Sequence, residues 1–420
     1  STRSGLGAAK TARAWRGFFL GVSKPEDRAM HATRILRRAL SPALEPMHGG
    51  RRKVLMRAVE SLIDGRRLTL TDLSRSWPDA TFAHAPLKAL DRLLSNHHLH
   101  GELDALHLAM AAWLMPEACP VIVVDWSDLK GDGRWCLLRA AVPVGGRTLT
   151  ICERIYPIAE LNAPRAQRAF LEVLAKIVPA DKRPVIVSDA GFRSDWFRAV
   201  AARGWDYVGR LRNNTKVRQS RRAWRPCNTL FSGATGDAQA LGQWDMVQSR
   251  PWMCFFVRIR RNSRKRGARA STPPRGRTIE KIRKREREPW LLATSLSPQR
   301  ASAAQIVAIY AKRMQIELAF RDLKSHRFGV GFEDSLSRAP KRLAVLLLLH
   351  AMAAFAAWLL VTAFRTMRVK VDPMTTQESH RHRYSDQRRG LEWLRRRWWP
   401  PQLAQIACRV GTWCKKKCQK

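Results

Sequence analysis

Apolar residues return every three or four positions through VLMRAVESLIDG (54–65) and LKALDRLLSNHHLHGELDALHLAMAAWLM (87–115). That spacing lays an apolar stripe along a helix. LTLTDLSRSW (68–77) joins the two and carries a Thr/Asp helix start. Residues from about 51 to 115 therefore read as helices with few strand signals. From Pro120 the pattern changes. VIVVD (121–125) is a short unbroken apolar run of the buried-strand kind. WCLLRAAVPV (135–144) and RTLTICERIYP (147–157) are two further strands, with Gly145-Gly146 between them as a hairpin signal. A helical stretch over 161–178 leads to RPVIVSD (183–189), a second buried strand, then to a helix at 193–203 and the strand WDYVGRLR (205–212). This order predicts an α/β fold, a mixed sheet covered by helices. CFFVRIR (254–260) and REPWLLATSL (287–296) read as later strands, and YAKRMQIELAFRDLK (310–324) as one helix.

LAVLLLLHAMAAFAAWLLVTAF (343–364) is long enough to span a bilayer and has no formal charge. Against a membrane span stand His350 in its middle, alanines suited to close helix packing, basic residues on both flanks and no second such run. A buried core helix is expected, with no membrane partner and a cytoplasmic location. GFFLGV (17–22) is too short for a signal-peptide core, and residues ahead of Met30 are left out of the fold argument.

Charge narrows the partner. Across 420 residues, 77 Lys and Arg stand against 34 Asp and Glu, a net +43. Such a chain repels itself unless a polyanion supplies counter-charge, and nucleic acid is the default. Fourteen of these cations fall between Arg258 and Arg287, around Pro273-Pro274. The short basic helices near the N-terminus fit a helix-turn-helix-like DNA reader, although a helical bundle without DNA contacts has the same pattern. Eight cysteines without a CxxC pair exclude a disulfide framework, and Cys408, Cys414 and Cys418 lack zinc-finger spacing. The adjacent His97, His98 and His100 have no further ligands nearby and do not point to a metal.

Both buried strands, VIVVD and VIVSD, end in an aspartate, Asp125 and Asp189. In open α/β sheets chemistry gathers at the carboxyl ends of strands, although a lone Asp there is as readily a turn former or cap. Asp128 and Asp195 lie past the strand ends and read as caps or exposed residues. On the 310–324 helix, ~100° of rotation per residue brings Tyr310, Arg313, Glu317 and Lys324 within ~60° of one another. Alone, that edge could be a solvated, ion-paired face. Three carboxylates converging in so basic a chain suit paired divalent cations, which hard oxygen ligands hold and phosphodiester chemistry uses. Trp290 is most simply a core aromatic, while an indole beside a nucleic-acid groove stacks on a base.

Together VDWSDL (124–129), VSDAGF (187–192) and the Tyr310, Arg313, Glu317, Lys324 signature resemble the DDE transposases of bacterial insertion sequences, specifically the insertion-sequence-four family and its insertion-sequence-ten members. The resemblance spans roughly residues 47 to 410. It implies a ribonuclease H-like mixed-sheet catalytic core with a β-rich insertion, preceded by an all-α DNA-binding domain and followed by a helical C-terminal region. The expected divisions are an N-terminal extension, disordered in part (1–46), a helical DNA-binding domain (47–116), the first part of the core (117–215), the basic insertion (216–288), the second part of the core with the glutamate helix (289–338), and the helical C-terminal region with a dimerisation role (339–420). Asp125, Asp189 and Glu317 would hold two Mg²⁺ ions, or Mn²⁺ as a substitute. Tyr310, Arg313 and Lys324 would grip phosphates beside the scissile bond, Trp290 would stack on a flipped base, and Arg210 and Arg212 would contact DNA. The implied partners are double-stranded transposon-end and target DNA and a second copy of the chain in the synaptic complex. The implied reaction is nicking, hairpin formation, hairpin opening and strand transfer. The basic loop and the C-terminal RRGLEWLRRRWW (388–399) depart from the family pattern. Alternatives are a ribonuclease H-like nuclease that joins no strands and a catalytically lapsed element-end binder.

Overall fold

The computed structural model describes residues 32–212, 215–261, 288–327, 329–366 and 384–397. It opens with six helices: α1 (Ala32–Ala39), α2 (Ser41–Leu44), α3 (Gly49–Gly65), α4 (Leu70–Arg75), α5 (His84–Leu94) and α6 (His97–Leu114). Helical structure thus begins ahead of residue 47, and Ile35, Leu36, Leu40 and Leu44 are already core residues. The Thr/Asp start is used as expected: the Thr69 hydroxyl caps α4 by accepting from the Asp72 amide at 3.1 Å. The 87–115 pattern is interrupted at Ser95, because Asn96 caps a new helix by accepting from the Leu99 amide at 3.0 Å. His97, His98 and His100 fall in the first turn of α6, where His100 Nε2 bonds the Leu94 carbonyl at 2.9 Å.

One mixed sheet follows, with strand order β3-β2-β1-β4-β5-β10-β9-β8-β6-β7. β1 (Val121–Asp128), β2 (Trp135–Val144) and β3 (Arg147–Pro157) form the antiparallel half. Gly145 and Gly146 turn between β2 and β3 with φ of 47° and 88°, values that residues with a Cβ resist, so the hairpin signal has its physical cause. α7 (Pro164–Ile177) then leads to β4 (Val185–Ser188), and α8 (Ser194–Ala201) to β5 (Asp206–Leu211); β1, β4 and β5 run parallel. The expected insertion is built of β6 (Lys216–Arg218), β7 (Arg225–Pro226), β8 (Gln239–Met246) and β9 (Trp252–Ile259). These strands are no separate sheet. β9 pairs with β10 (Trp290–Thr294), which pairs with β5, so they prolong the central sheet at one edge. Most of the basic loop, residues 262–287, lies outside the described residues.

The described residues close with α9 (Ala303–Ala311), α10 (Met314–Lys324), α11 (Pro340–Thr366) and α12 (Asp386–Arg395). α11 is the apolar run of membrane-spanning length, and 89% of that window is buried. It packs against α1, α3, α5, α6, β3 and α12. The last contact is tight: a Cβ on Gly390 would lie 2.1 Å from the Ala357 carbonyl oxygen. Arg365 at the end of α11 forks onto Asp386 at 2.5 and 2.6 Å. Of RRGLEWLRRRWW, residues 398–399 lie outside the described residues, as do Cys408, Cys414 and Cys418. None of the five described cysteines is in a disulfide.

Candidate active site

β1 and β4 are parallel neighbours paired from Val121↔Val185 to Val124↔Ser188. Continuing that register by one residue sets Asp125 beside Asp189, just past the end of the β1–β4 pairing; β4 ends there, but β1 does not end at Asp125 as the sequence suggested and runs on beside β2 to Asp128. Asp125 is buried, and its Oδ1 accepts the Trp126 amide at 2.9 Å. Asp189 is half-buried, and its Oδ1 accepts the Gly191 amide at 2.8 Å in the turn leaving β4. α10 crosses β1, β2 and β3 and brings Glu317 to the same place. Burial, then repulsion from Asp189 and also from Glu317, pushes the Asp125 carboxyl up to about 7, against the pull of Arg313. Asp125 thus faces the negative charge of two further acids.

Arg313 supplies part of it. Its Nη1 donates to Asp125 Oδ2 at 3.1 Å and its Nη2 pairs with Glu317 Oε1 at 2.5 Å. The expected single helix over 310–324 is broken beside this arginine. The amides of Lys312, Arg313, Gln315 and Ile316 each bond a carbonyl three residues back, at 3.0–3.1 Å, tightening the chain between α9 and α10. Tyr310 thus belongs to α9 and is buried. It still meets the acids: burial raises its hydroxyl pKa, with Arg313, Arg210, Asp189 and Asp125 as its charged neighbours. Lys324, by contrast, lies at the far end of α10. Burial lowers its pKa, and its charged neighbours are Asp128, Glu333 and Arg139 rather than the three acids.

Trp290 opens β10 half-buried, edge-on to Tyr310 with ring centroids 4.9 Å apart, and with the Arg261 guanidinium 4.7 Å from its ring centre. Leu291 and Leu292 fill the sheet's interior beside it. Arg210, next to last in β5, donates to the Glu288 and Pro289 carbonyls at 3.3 and 3.5 Å, and its pKa is lowered to about 10 by burial and by Arg212. Arg212 pairs with Glu288 at 3.5 Å. Both line a cleft of about 1090 Å³ beside the Asp189 turn, with Arg193 and Lys216 also on its wall. Asp128 and Asp195 are exposed, as expected, but Asp128 is the last residue of β1, paired with Cys136, rather than past the strand end.

A family model described as the transposase DDE domain matches residues 120–356, more than half of the chain. The chain belongs to this transposase family. The matched stretch opens at the entry to β1, ends within α11, and includes Asp125, Asp189 and Glu317. No curated protein matches the chain.

Behind the acids, the transposase holds a buried ionic group that sequence reasoning missed. Asp125, Arg139 and Glu153 are successive cross-strand neighbours on β1, β2 and β3 and share one sheet face. Arg139 is 1% exposed, pairs with Glu153 at 2.8–3.0 Å, and sits 5.0 Å from the Phe320 ring centre on α10. Burial alone would raise the Glu153 pKa, but Arg139 and His107 bring it down to about 2. Phe320 thereby seats the glutamate helix on a charge clamped to the sheet. The only hint in the sequence was a charge inside each of two apolar strands, WCLLR and ICER.

Whether the acids fit a divalent ion has two answers. The donor set of three carboxylates, one of them buried and electrostatically strained, has the right chemistry for a hard cation. Among the described residues, however, no group of three or more His, Cys, Asp or Glu stands in an arrangement that could hold one. The Arg313 guanidinium is instead paired with both Asp125 and Glu317.

Proposed function

We propose that this transposase binds the terminal inverted repeats of an insertion sequence and cuts and joins DNA by metal-dependent phosphoryl transfer. The observation that supports this best is that buried Asp125 feels the negative charge of both Asp189 and Glu317 where the pairing of β1 with β4 ends. Asp125, Asp189 and Glu317 would hold two Mg²⁺ ions, or Mn²⁺ in their place, which would supply Lewis-acid stabilisation of the entering and leaving oxygens. Arg313 has two roles on this reading. Without DNA it neutralises Asp125 and Glu317; with DNA it turns from them to a phosphate beside the scissile bond, leaving the carboxylates to the ions. Tyr310, buried between Trp290 and the acids, positions that phosphate and forms no covalent link to it. Arg210 and Arg212 hold the strand in the cleft beside Asp189, and Lys324 grips backbone farther along α10.

The reaction begins with a nick that frees a 3′-hydroxyl. That hydroxyl attacks the opposite strand to close a hairpin, water reopens the hairpin, and the same hydroxyl attacks target DNA. A base flipped out of the tight hairpin would take the Arg261 position on the Trp290 face. Two copies of the chain would pair the element ends. Incubating the purified chain with a labelled duplex carrying the inverted repeats that flank its gene, with Mg²⁺, tests the reading. Nicks, hairpins and joined strands are expected; nicks alone would mark a plain nuclease, and retarded but uncut duplex a lapsed end binder.

A further inference from the structure

Leu336 is 94% exposed, more than any other large apolar side chain among the described residues. A lone surface leucine is ordinary in itself. This one is held out by its neighbours. Ser335 and Ser337 on either side are buried, at 4% and 8% exposure. Lys130, in the loop between β1 and β2, donates from Nζ to both of their carbonyl oxygens, at 2.9 Å to that of Ser337. The Ser337 amide closes the turn on Ser335 Oγ at 3.3 Å, and the Trp135 indole donates to the Arg338 carbonyl at 3.0 Å. Burial lowers the Lys130 pKa, so an ammonium gives up part of its solvation to fix the chain on both sides of one leucine.

The pinned turn lies beside the end of α10 that carries Lys324. Glu333, three residues ahead of Leu336, is a charged neighbour of both Lys130 and Lys324. Asp128 is another neighbour of Lys324; it is the last residue of β1, three positions past Asp125 and so ~10 Å along the strand. Arg338 and Lys341 follow the leucine, both exposed and without an ion pair among the described residues. Charge decides what can cover such a place. A second copy of the chain would bring its own net +43 to these cations, whereas a polyanion is drawn to them. Duplex DNA also offers an apolar side chain somewhere to go, because leucine can insert between stacked bases from the minor groove and kink the duplex. A side chain on a fixed mount loses little freedom in doing so.

We propose that Leu336 is a wedge for duplex DNA, held out by Lys130 so that it enters and unstacks one base step of the duplex whose backbone Lys324 grips. The proposal rests on the DNA reading above and adds to it a contact that distorts the duplex away from the reacting phosphate.

The test uses the full chain without divalent metal, so that no cleavage intervenes. The inverted-repeat duplex carries the fluorescent base analogue 2-aminopurine at successive positions, one per duplex. Wild type, Leu336→Ala, Leu336→Met and Leu336→Lys are compared by probe fluorescence, gel shift and thermal melt. All four are expected to melt alike, because the side chain lies outside the core. Wild type should brighten the probe at one step, the sign of unstacking, and Leu336→Met should keep that signal. Leu336→Ala should lose it and bind roughly tenfold more weakly, the order expected for one leucine side chain taken out of water. Leu336→Lys should lose the signal too, despite its added positive charge. A signal absent in wild type, or unchanged in Leu336→Ala, would overturn the wedge and leave the DNA reading standing. An altered oligomeric state in Leu336→Ala, with the probe signal and duplex affinity intact, would overturn it as well and assign the leucine to a contact between copies. Failure of wild type to shift the duplex at all would overturn both readings.

Discussion

Arg313 and Asp125 make opposite demands on one site. The guanidinium stabilises the acids while no DNA is bound, yet it stands where a cation would meet Asp125 and Glu317. Arg313→Ala should therefore bind Mg²⁺ several-fold more tightly than wild type in the absence of DNA, read as the Mg²⁺ concentration that half-saturates a thermal shift. The same variant should cut DNA roughly 10²- to 10³-fold more slowly, the usual loss on removing one preorganised donor. Weaker Mg²⁺ binding would show that Arg313 supports the ion rather than competing with it. Asp125 adds a pH signature. Its carboxyl stands near 7 in the folded chain against an ordinary 3.8, so the fold retains a proton that the unfolded chain has lost. Metal-free stability should thus fall as pH rises from about 4 to about 7 and level off above it. Melts at pH 5 and pH 8 should show the fall in wild type, show it lessened by Mg²⁺, which favours the carboxylate, and flattened in Asp125→Asn.

Individual elements carry the next claims. Trp290 lies half-buried with an edge on Tyr310 and a guanidinium over its face, while Leu291 and Leu292 fill the sheet. If a flipped base takes that face, Trp290→Ala should lose roughly 1 to 3 kcal/mol of stacking at the hairpin step, with normal nicking and an unchanged melt. Uniform loss at every step with a lowered melt would make it a core residue instead, at a cost of about 3 to 5 kcal/mol of stability. Arg139→Met should strand the buried Glu153 carboxylate and cost about 3–5 kcal/mol in a urea melt, with Arg139→Met/Glu153→Leu recovering most of it. These elements also show how far the sequence could be read. VIVVD and VIVSD are legible because a strand buried on both faces must be apolar throughout, which leaves the aspartate that follows conspicuous. The division at residues 312–313 is not, because AKRM suits a helix as well as it suits a tightened turn. The Arg139–Glu153 pair becomes visible only once register sets β2 against β3, a long-range fact that neither strand contains alone. Tyr310 and Glu317 were expected on one edge of one helix; they meet the same acids from two.

Across the whole molecule, one sheet runs from the hairpin of β2 and β3 to the added strands β6 to β9, with the three acids near its parallel centre. The long apolar helix α11 is consumed as the core against which the N-terminal helices and α12 pack. A chain of net +43 arranged in this way has charge to spare for a polyanion, but that charge alone would serve a binder as well as an enzyme. What would separate the two is chemistry at Asp125, Asp189 and Glu317. The most direct measurement is therefore cleavage of labelled inverted-repeat duplex with Mg²⁺ by wild type and by Asp125→Ala, Asp189→Ala and Glu317→Ala, each matched with a gel shift on the same duplex. Each variant is predicted to bind the duplex nearly as wild type does and to produce no nick, hairpin or joined strand; strong Mg²⁺-dependent nicking by any one of them would remove that residue from the site and contradict the account.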